Sequence, residues 1–194
     1  MKLVLASSNL GKLREIRNLL AGSGNEIVNQ SELGIGDAIE SGNSFTENAL
    51  IKARHASAHS GIAALADDSG LEVDYLEGKP GIYSARFAGP NATDEDNIRK
   101  LLTDLQGVRD EQRTARFHCV IALVLNPTDD HPVLCHGVWE GRILDHCSGD
   151  NGFGYDPVFY VPELGCTSAS LKPEIKNIHS HRAMALKKLS DYLL

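Results

Sequence analysis

The chain has 194 residues, 42% of them apolar, so it is long enough to bury one substantial core and needs no second autonomous domain. Its formal net charge of −7 argues against a protein that coats duplex DNA or an anionic membrane, because those partners require a dominant basic surface. The four cysteines form no CxxC pair and no apolar run approaches the roughly 18 residues of a membrane span, which predicts a cytoplasmic protein with reduced thiols and with no nucleic-acid or membrane partner.

The chain begins with a strand, a polar turn and a helix. The apolar run from 3 to 6 predicts a buried strand, and apolar residues then recur at helical spacing from 10 to 20. The turn offers Ser7, Ser8 and Asn9, with Lys12 in the first helical turn. Hydroxyls, an amide, backbone N–H groups at a helix N-terminus and a cation can converge there on phosphate oxygens. An ordinary helix cap beside a solvated lysine is the alternative.

A second strand is predicted around 26–29, and the loop after it carries Glu40. Ser44 and Glu47 have the spacing of a capping box, which predicts a helix from there to about residue 59 with Lys52 on it. From the sequence alone, the simpler interpretations are a solvated loop acid for Glu40 and a solvent-facing lysine for Lys52.

The run AALADDSG, residues 63–70, ends an apolar strand in Asp67 and Asp68. Burying an unpartnered carboxylate costs several kcal/mol or forces it to take up a proton, so we expect positive charge opposite these residues. Glu40 and Asp68 together suit Mg2+, which takes oxygen ligands and usually rests on one or two carboxylates plus substrate phosphates. A salt bridge or a turn cap explains the two aspartates about equally well.

The second half of the chain predicts a helix opened by Thr93 and Asp96, then two β-rich runs, 115–125 and 133–144, that pair through a turn. The segment 71–88 has no clear pattern. The glycine-rich run GDNGFGYD, residues 149–156, offers an aromatic face and a carboxylate to a nucleobase, although a tight turn explains it nearly as well. His181 and Arg182 stand at the start of a last helix.

Together these segments resemble the Ham1-like inosine triphosphate pyrophosphatase family. The resemblance rests on blocks that run in order over nearly the whole chain: Ser7, Asn9 and Lys12 as [ST]xNxxK, Glu40 before FTENALIKAR, ADDSGLEV, GIYSARFAG, FGYDPVF and SHR. It implies an elongated α/β fold with a mixed, twisted central sheet flanked by helices. It further implies one domain over residues 1–194, with two lobes and a central cleft, in a homodimer.

The resemblance also implies an activity: Mg2+-dependent hydrolysis of ITP, dITP and XTP to the monophosphate and pyrophosphate. Asp68 is then the proton acceptor and, with Glu40, a metal contact, while Asp67 has no assigned role. The implied substrate-binding residues are Ser7, Ser8, Asn9, Leu10, Gly11, Lys12, Lys52, Ser69, Phe153, Gly154, Tyr155, Asp156, Lys176, His181 and Arg182. A non-catalytic purine nucleotide-binding protein and a phosphohydrolase that releases orthophosphate are the competing hypotheses.

Overall fold

A seven-stranded sheet and five α-helices make up the regular structure of the residues described, which are 1–22 and 24–193 of the computed structural model. The strands are β1 (Lys2–Ala6), β2 (Glu26–Asn29), β3 (Ala64–Val73), β4 (Thr114–Val124), β5 (Val133–Ile143), β6 (Phe159–Val161) and β7 (Cys166–Thr167). The helices are α1 (Leu10–Leu20), α2 (Phe45–Ser60), α3 (Asp94–Asp104), α4 (Pro173–His179) and α5 (His181–Leu193).

The sheet is mixed. Its strand order is β2-β1-β3-β4-β5-β6-β7. β1 runs parallel to β2 and β3, whereas β6 runs antiparallel to β5 and β7. The predicted α/β class with a mixed central sheet is confirmed, and so is the predicted pairing of the two β-rich runs, which become the neighbouring strands β4 and β5.

The chain divides into two compact units. The first unit comprises Met1–Asp68, Cys119–Gly137 and His181–Leu194, and the second comprises Ser69–His118 and Val138–Ser180. In the first unit α1 and α5 pack on one face of the sheet, and the buried residues of this core include Leu3, Leu5, Leu13, Ile16, Leu65, Ile121, Leu186 and Leu189. In the second unit a separate core gathers Leu71, Val73, Ile98, Leu101, Trp139, Ile143 and Phe159.

The helix starts follow the caps that the sequence predicts. The side chain of Asn9 accepts a hydrogen bond from the backbone of Lys12 at the start of α1, and Ser44 caps α2 in the same way. The Glu47 carboxylate accepts from the backbone N–H of Asn43 instead of that of Ser44, so the predicted capping box of α2 is shifted by one residue. Thr93 and Asp96 form a reciprocal capping box on α3. Such side chains satisfy amide groups that have no partner within the helix. None of the helices in the described ranges has the length and apolar character that crossing a membrane requires.

β3 is longer than predicted. The acid pair was expected to end the strand, but β3 continues past Asp68 to Val73. Beyond the acids, Leu71 and Val73 are buried while Glu72 is partly exposed, which is the alternation of an ordinary strand. Two adjacent charges look like a strand end in the sequence, yet a strand tolerates them where each meets opposite charge.

Two elements were not predicted. α4 has only seven residues, and its apolar residues Ile175 and Ile178 are exposed, so it shows no buried face that periodicity can detect. β7 has two residues and is defined by its pairing with β6, which the sequence does not show. α4 carries Lys176, one of the predicted substrate-binding residues.

Gly137 on β5 marks a close approach of α5 to the sheet. A Cβ atom there would overlap the backbone oxygen of His181 and lie 2.8 Å from the backbone nitrogen of Ala185. Only glycine fits this position without moving the first turn of α5.

Candidate functional site

Seven charged side chains of the first unit form two sets of ion pairs that meet at two adjacent residues of β3. We call them the ionic cluster: Lys12, Lys52 and Arg182 with Glu15, Glu40, Asp67 and Asp68. Five of the seven are predicted site residues, and they come from α1, the loop before α2, α2 itself, β3 and α5. The structure therefore brings together residues that are up to 170 positions apart in the chain, from Lys12 to Arg182.

Lys52 holds the first set together. Its Nζ lies 2.7 Å from Asp68 Oδ1 and 2.8 Å from Glu40 Oε1. Burial by itself lowers the pKa of Lys52, but Asp68, Asp67 and Glu40 outweigh it, and the pKa lies above its usual value. Burial raises the pKa of the Asp68 carboxyl, and the neighbouring ammonium groups offset only part of that rise. Asp68 is thus a carboxylate that gains a proton more readily than usual.

Asp67 holds the second set together. Its Oδ2 lies 3.1 Å from Lys12 Nζ and 3.2 Å from an Arg182 nitrogen, and Arg182 also donates to Glu15. Burial opposes ionisation of Asp67, which is 1% exposed, but Lys12, Arg182 and Lys52 prevail and hold its pKa well below the usual value. Arg182 is equally buried and stays charged, because burial lowers its pKa less than Asp67 and Glu15 raise it.

The alternation of side chains along a strand explains why the two aspartates have different partners. Neighbouring residues of a strand point to opposite faces of the sheet. Asp67 shares the face of Leu65, which packs in the core with α1 and α5, and its partners are on those helices. Asp68 points to the other face, where its partner Lys52 is on α2. One dipeptide therefore supplies a carboxylate to each side of the sheet.

The predicted phosphate turn is ordered by its own polar groups. Ser7 Oγ accepts from the backbone N–H of Asn9 at 3.3 Å, and Asn9 Oδ1 accepts from the backbone N–H of Lys12 at 3.0 Å. Ser8 and Leu10 are exposed, and Gly11 is half-buried. The turn presents the N-terminal end of α1, where backbone amides favour an anion.

Glu40 and Asp68 are the oxygen donors that fit a magnesium ion. Both carboxylates contact the same ammonium group, so they converge on one position. Within residues 1–22 and 24–193, no group of three or more His, Cys, Asp or Glu side chains is arranged to hold a metal. Two converging carboxylates match Mg2+, which usually takes one or two from the protein and completes its shell with water and substrate phosphate.

In the second unit, Asp156 organises the loop that was predicted to meet a base. Its carboxylate accepts from the backbone N–H of Phe153 at 2.9 Å, from Ser168 Oγ at 2.8 Å and from Lys176 Nζ at 2.5 Å. Gly152 has a φ of +81°, and a Cβ there would overlap Asp156 Oδ2. Asp156 is 2% exposed, so its carboxylate shapes the loop and holds Lys176 in this structure.

Phe153 and Lys176 both contact this carboxylate, Phe153 through its backbone N–H and Lys176 through its ammonium. The ammonium of Lys176 is 4.9 Å from the centre of the Phe153 ring. The two residues between Phe153 and Asp156 form hydrogen bonds with other parts of the second unit. Gly154 N–H donates to Asp94, and the Tyr155 hydroxyl donates to the Ser84 carbonyl at 2.8 Å. Tyr155 is buried, and burial raises the pKa of its hydroxyl. An aromatic face with an adjacent cation is the group that this loop offers.

The remaining predicted site residues are Ser69 and His181. Ser69 lies in β3 and is partly exposed, in the second unit. His181 is buried at the first position of α5, in the first unit.

Two partners of predicted site residues were missed in the sequence. Glu15, the partner of Arg182, follows Lys12 by three positions on α1, a spacing that places both on one helix face and could have identified it. Ser168, the partner of Asp156, lies in a short turn far along the chain, and no local pattern marks it.

Comparisons with known proteins identify the family of this chain. The model of the Ham1 family matches residues 3–192. The chain is 57% identical to the dITP/XTP pyrophosphatase of Vibrio vulnificus (strain YJ016) over 188 residues, 97% of this chain and 94% of that protein. Its structure is similar to a HAM1 protein from Coxiella burnetii, with a TM-score of 0.93, 50% identity and coverage of 100% of this chain and 98% of that one. It is also similar to the Staphylococcus aureus Ham1 protein, with a TM-score of 0.88, 42% identity and the same coverage. The chain belongs to the Ham1 family.

Proposed function

We propose that the protein hydrolyses deaminated purine nucleoside triphosphates, namely dITP, XTP and ITP, to the monophosphate and pyrophosphate. The observation that carries this proposal is the ionic cluster, where two largely buried ammonium groups lie within 3.1 Å of carboxylates. The membership in the Ham1 family supports it, as does the name dITP/XTP pyrophosphatase of the Vibrio vulnificus relative. The protein then removes these nucleotides from the pool used for nucleic-acid synthesis.

The triphosphate is held by Lys12, Lys52 and the amide groups at the start of α1. These lysines form ion pairs with Asp67, Asp68 and Glu40. A triphosphate brings several negative charges and competes for the same ammonium groups, because charge-assisted hydrogen bonds to phosphate oxygens are strong. Substrate binding is therefore an exchange of anionic partners around fixed cations.

Mg2+ is the proposed cofactor, with Glu40 and Asp68 as its protein ligands. When bound, the ion neutralises phosphate charge and lowers the pKa of a coordinated water. The carboxylates of this chain hold and orient that ion next to the phosphates. Glu40 and Asp68 would hold this ion, whose double charge would compensate both carboxylates when Lys52 contacts the substrate.

Asp68 takes the proton from the attacking water. Of the two aspartates it is the better base, because burial raises its pKa, whereas Lys12 and Arg182 keep the pKa of Asp67 low against the effect of burial. A general base works best when its pKa lies near the working pH. The oxygen of the water attacks phosphorus, the bond between the α- and β-phosphates breaks, and pyrophosphate leaves.

The base is recognised by Phe153 and Lys176, with Asp156 holding both in place. Phe153 stacks on the purine and Lys176 donates to its 6-keto oxygen. Adenine has an amino group at this position, so the donor loses its partner, a penalty that can reach about 10⁴ in discrimination. His181 and Arg182 are proposed to assist, and for that Arg182 has to release Asp67 or Glu15.

Product analysis with ITP, dITP, XTP, GTP and ATP in Mg2+ tests the proposal. Monophosphate plus pyrophosphate from the first three substrates supports it. Tight binding without turnover would instead favour the non-catalytic nucleotide-binding protein, and diphosphate plus orthophosphate would favour the other phosphohydrolase.

The protein is further proposed to act as a cytoplasmic homodimer on free nucleotides, without nucleic-acid or membrane partners. The net charge of −7 supports the last point. Sedimentation velocity at micromolar concentration distinguishes a monomer from a dimer.

A further inference from the structure

The loop that carries Glu40 has no regular structure of its own, and its order depends on contacts with α2 and the preceding turn. It joins the short helical turn at Gln30–Leu33 to α2. Its first half is held by Gln30 Nε2, which donates to Asp37 Oδ1 at 2.6 Å, and by a contact of 3.0 Å between His55 Nε2 and the Gly36 carbonyl. Its second half brings Glu40 to Lys52.

The side chain of Asn48 holds the second half of this loop by a hydrogen bond. Its Oδ1 accepts from the backbone N–H of Gly42 at 2.9 Å, two residues after Glu40. Gly42 lies so close to α2 that a Cβ there would be 2.6 Å from Glu47 Cβ and 2.7 Å from Asn48 Oδ1. Asn48 is 1% exposed, and its Nδ2 has no hydrogen-bond partner in the part of the chain that the structure describes. The side-chain amide of Asn48 is therefore buried although, among the described residues, only its oxygen forms a hydrogen bond.

Asn48 and Lys52 are four positions apart on α2 and therefore face the same way. Asn48 holds the backbone of the loop, and Lys52 holds the carboxylate of Glu40. The proposed function has Lys52 turn to the triphosphate, which weakens its hold on Glu40. The contact from Asn48 to Gly42 joins two uncharged groups, so an incoming phosphate does not compete for it.

We propose that Asn48 is a positioning residue that keeps Glu40 in place for the metal once Lys52 has engaged substrate. This inference rests on the proposed function, because Glu40 is a metal contact only there. Partners that orient metal ligands from behind typically change metal affinity by about 10- to 100-fold when removed. The loss is expected in the metal requirement, with little change in the affinity for nucleotide alone.

The test compares Asn48→Ala, which removes the acceptor, with Asn48→Asp, which keeps an oxygen at the same place. The first readout is the Mg2+ concentration for half-maximal pyrophosphate release at saturating ITP. The second is calorimetric binding of a non-hydrolysable ITP analogue with an α,β-methylene bridge, with and without Mg2+. For Asn48→Ala we expect an increase of about tenfold in the Mg2+ requirement and the loss of most of the affinity gained from Mg2+, whereas metal-free binding is unchanged. Asn48→Asp should recover most of the metal dependence.

Ser57→Ala is the matched control, since Ser57 is a fully buried polar residue of α2 whose hydroxyl donates to the Ile62 carbonyl at 2.8 Å at the other end of the helix. It should lower thermal stability without changing the Mg2+ requirement. Gly42→Ala moves the loop from the other side and should reproduce the effect of Asn48→Ala if that variant does not fold.

The outcomes separate this inference from the function on which it rests. A folded Asn48→Ala or Gly42→Ala protein with the Mg2+ requirement of the wild type would overturn the positioning role alone. The same holds if Ser57→Ala shifts the requirement equally. If the wild-type protein itself shows no effect of Mg2+ on nucleotide binding or no release of pyrophosphate, the proposed function fails first.

Discussion

The two charged sites of this protein are built differently. In the first unit, the ionic cluster combines three cations with four carboxylates. Lys52 and Arg182 each contact two carboxylates, and Lys12 shares the carboxylate of Asp67 with Arg182. In the second unit, Lys176 and Asp156 form one ion pair with no net charge. The Asp156 carboxylate also accepts hydrogen bonds from the Phe153 backbone amide and the Ser168 hydroxyl. The proposed function requires the first arrangement to exchange ion-pair partners when a charged ligand binds and the second to keep its geometry.

This difference matches the two parts of the proposed substrate. A triphosphate is highly charged, and the charges around it must be rearranged for it to enter, whereas a purine base is neutral and needs donors at fixed positions. The ionic cluster suits the first task and the Asp156 pair suits the second. The following predictions test this division, from the largest expected effect to the smallest.

Asp68→Asn should abolish most turnover and leave nucleotide binding in the absence of Mg2+ intact. Loss of a general base lowers kcat by about 10²–10⁴, while removal of a negative charge does not weaken the hold on a triphosphate. Stopped assays of pyrophosphate release and calorimetry with ITP measure the two quantities. Asp74→Asn, at an exposed aspartate paired with Arg116, is the control and should behave as wild type. Turnover within a few-fold of wild type in Asp68→Asn would remove Asp68 from the base role.

Asp67→Asn should mainly lower the free energy of unfolding. It leaves Lys12 and the buried Arg182 without this carboxylate, and breaking a buried ion pair costs about 3–5 kcal/mol. Asp74→Asn, which breaks an exposed pair, should cost about 0–1 kcal/mol. Urea unfolding followed by circular dichroism gives both values. Equal losses in the two variants would show that the ionic cluster is no tighter than a surface pair.

The same variant gives a pH dependence. The folded-state pKa of Asp67 lies below its ordinary value of 3.8, so its stabilising contribution is complete above that pH and is lost as the pH falls further. The asparagine side chain of the variant does not titrate. The difference in unfolding free energy between wild type and Asp67→Asn should therefore narrow as the pH drops below 3.8. A difference that stays constant down to acid denaturation would contradict the low pKa.

Lys176→Met should change the preference between purine bases more than the hydrolysis step itself. The methionine fills the space of the lysine stem but cannot donate to a keto oxygen, so the ratio of kcat/KM for ITP over ATP should fall by at least about tenfold. Inhibition by inorganic tripolyphosphate, which has no base, should not change. If the variant loses ITP and ATP hydrolysis equally, or binds tripolyphosphate less well, Lys176 belongs with the phosphate site.

The smallest effect concerns the thiols. Cys119 and Cys135 of the first unit are buried, and burial raises the pKa of Cys119 to about 12, whereas Cys147 of the second unit is exposed and Cys166 partly so. Because the thiolate is the reactive form, Ellman's reagent at about pH 8 should modify Cys147 and then Cys166 in the folded protein, and all four only in urea. Rapid modification of Cys119 in the native protein would mean that the interior beneath the ionic cluster opens.

Much of the fold was predictable because it is encoded locally. Apolar periodicity and side-chain caps identified β1, α1, α2 and α3, since each signal lies within one element. α4 and β7 were missed because a helix of seven residues and a strand of two carry too little pattern. The full length of β3 was also missed, because the charges that end an apolar run are compensated by residues far away in the chain.

For the candidate site, the sequence predicted which residues lie together better than how they are paired. The requirement for positive charge opposite Asp67 and Asp68 follows from the cost of burying carboxylates, and Lys12 and Lys52 meet it. That Arg182 pairs with Asp67 depends on how α5 packs on the sheet, which no local pattern records. The use of Asp156 as an internal acceptor depends in the same way on Ser168 and Lys176.

Gly137 shows what this packing implies for tolerance to mutation. It has no polar side chain, yet any larger residue there must displace the backbone at His181, the residue before Arg182. In a saturation-mutagenesis map scored by survival on mutagenic nucleotides, Gly137 should therefore tolerate as few substitutions as the acidic residues of β3. A glycine that takes no part in the chemistry would then be as sensitive to substitution as a general base.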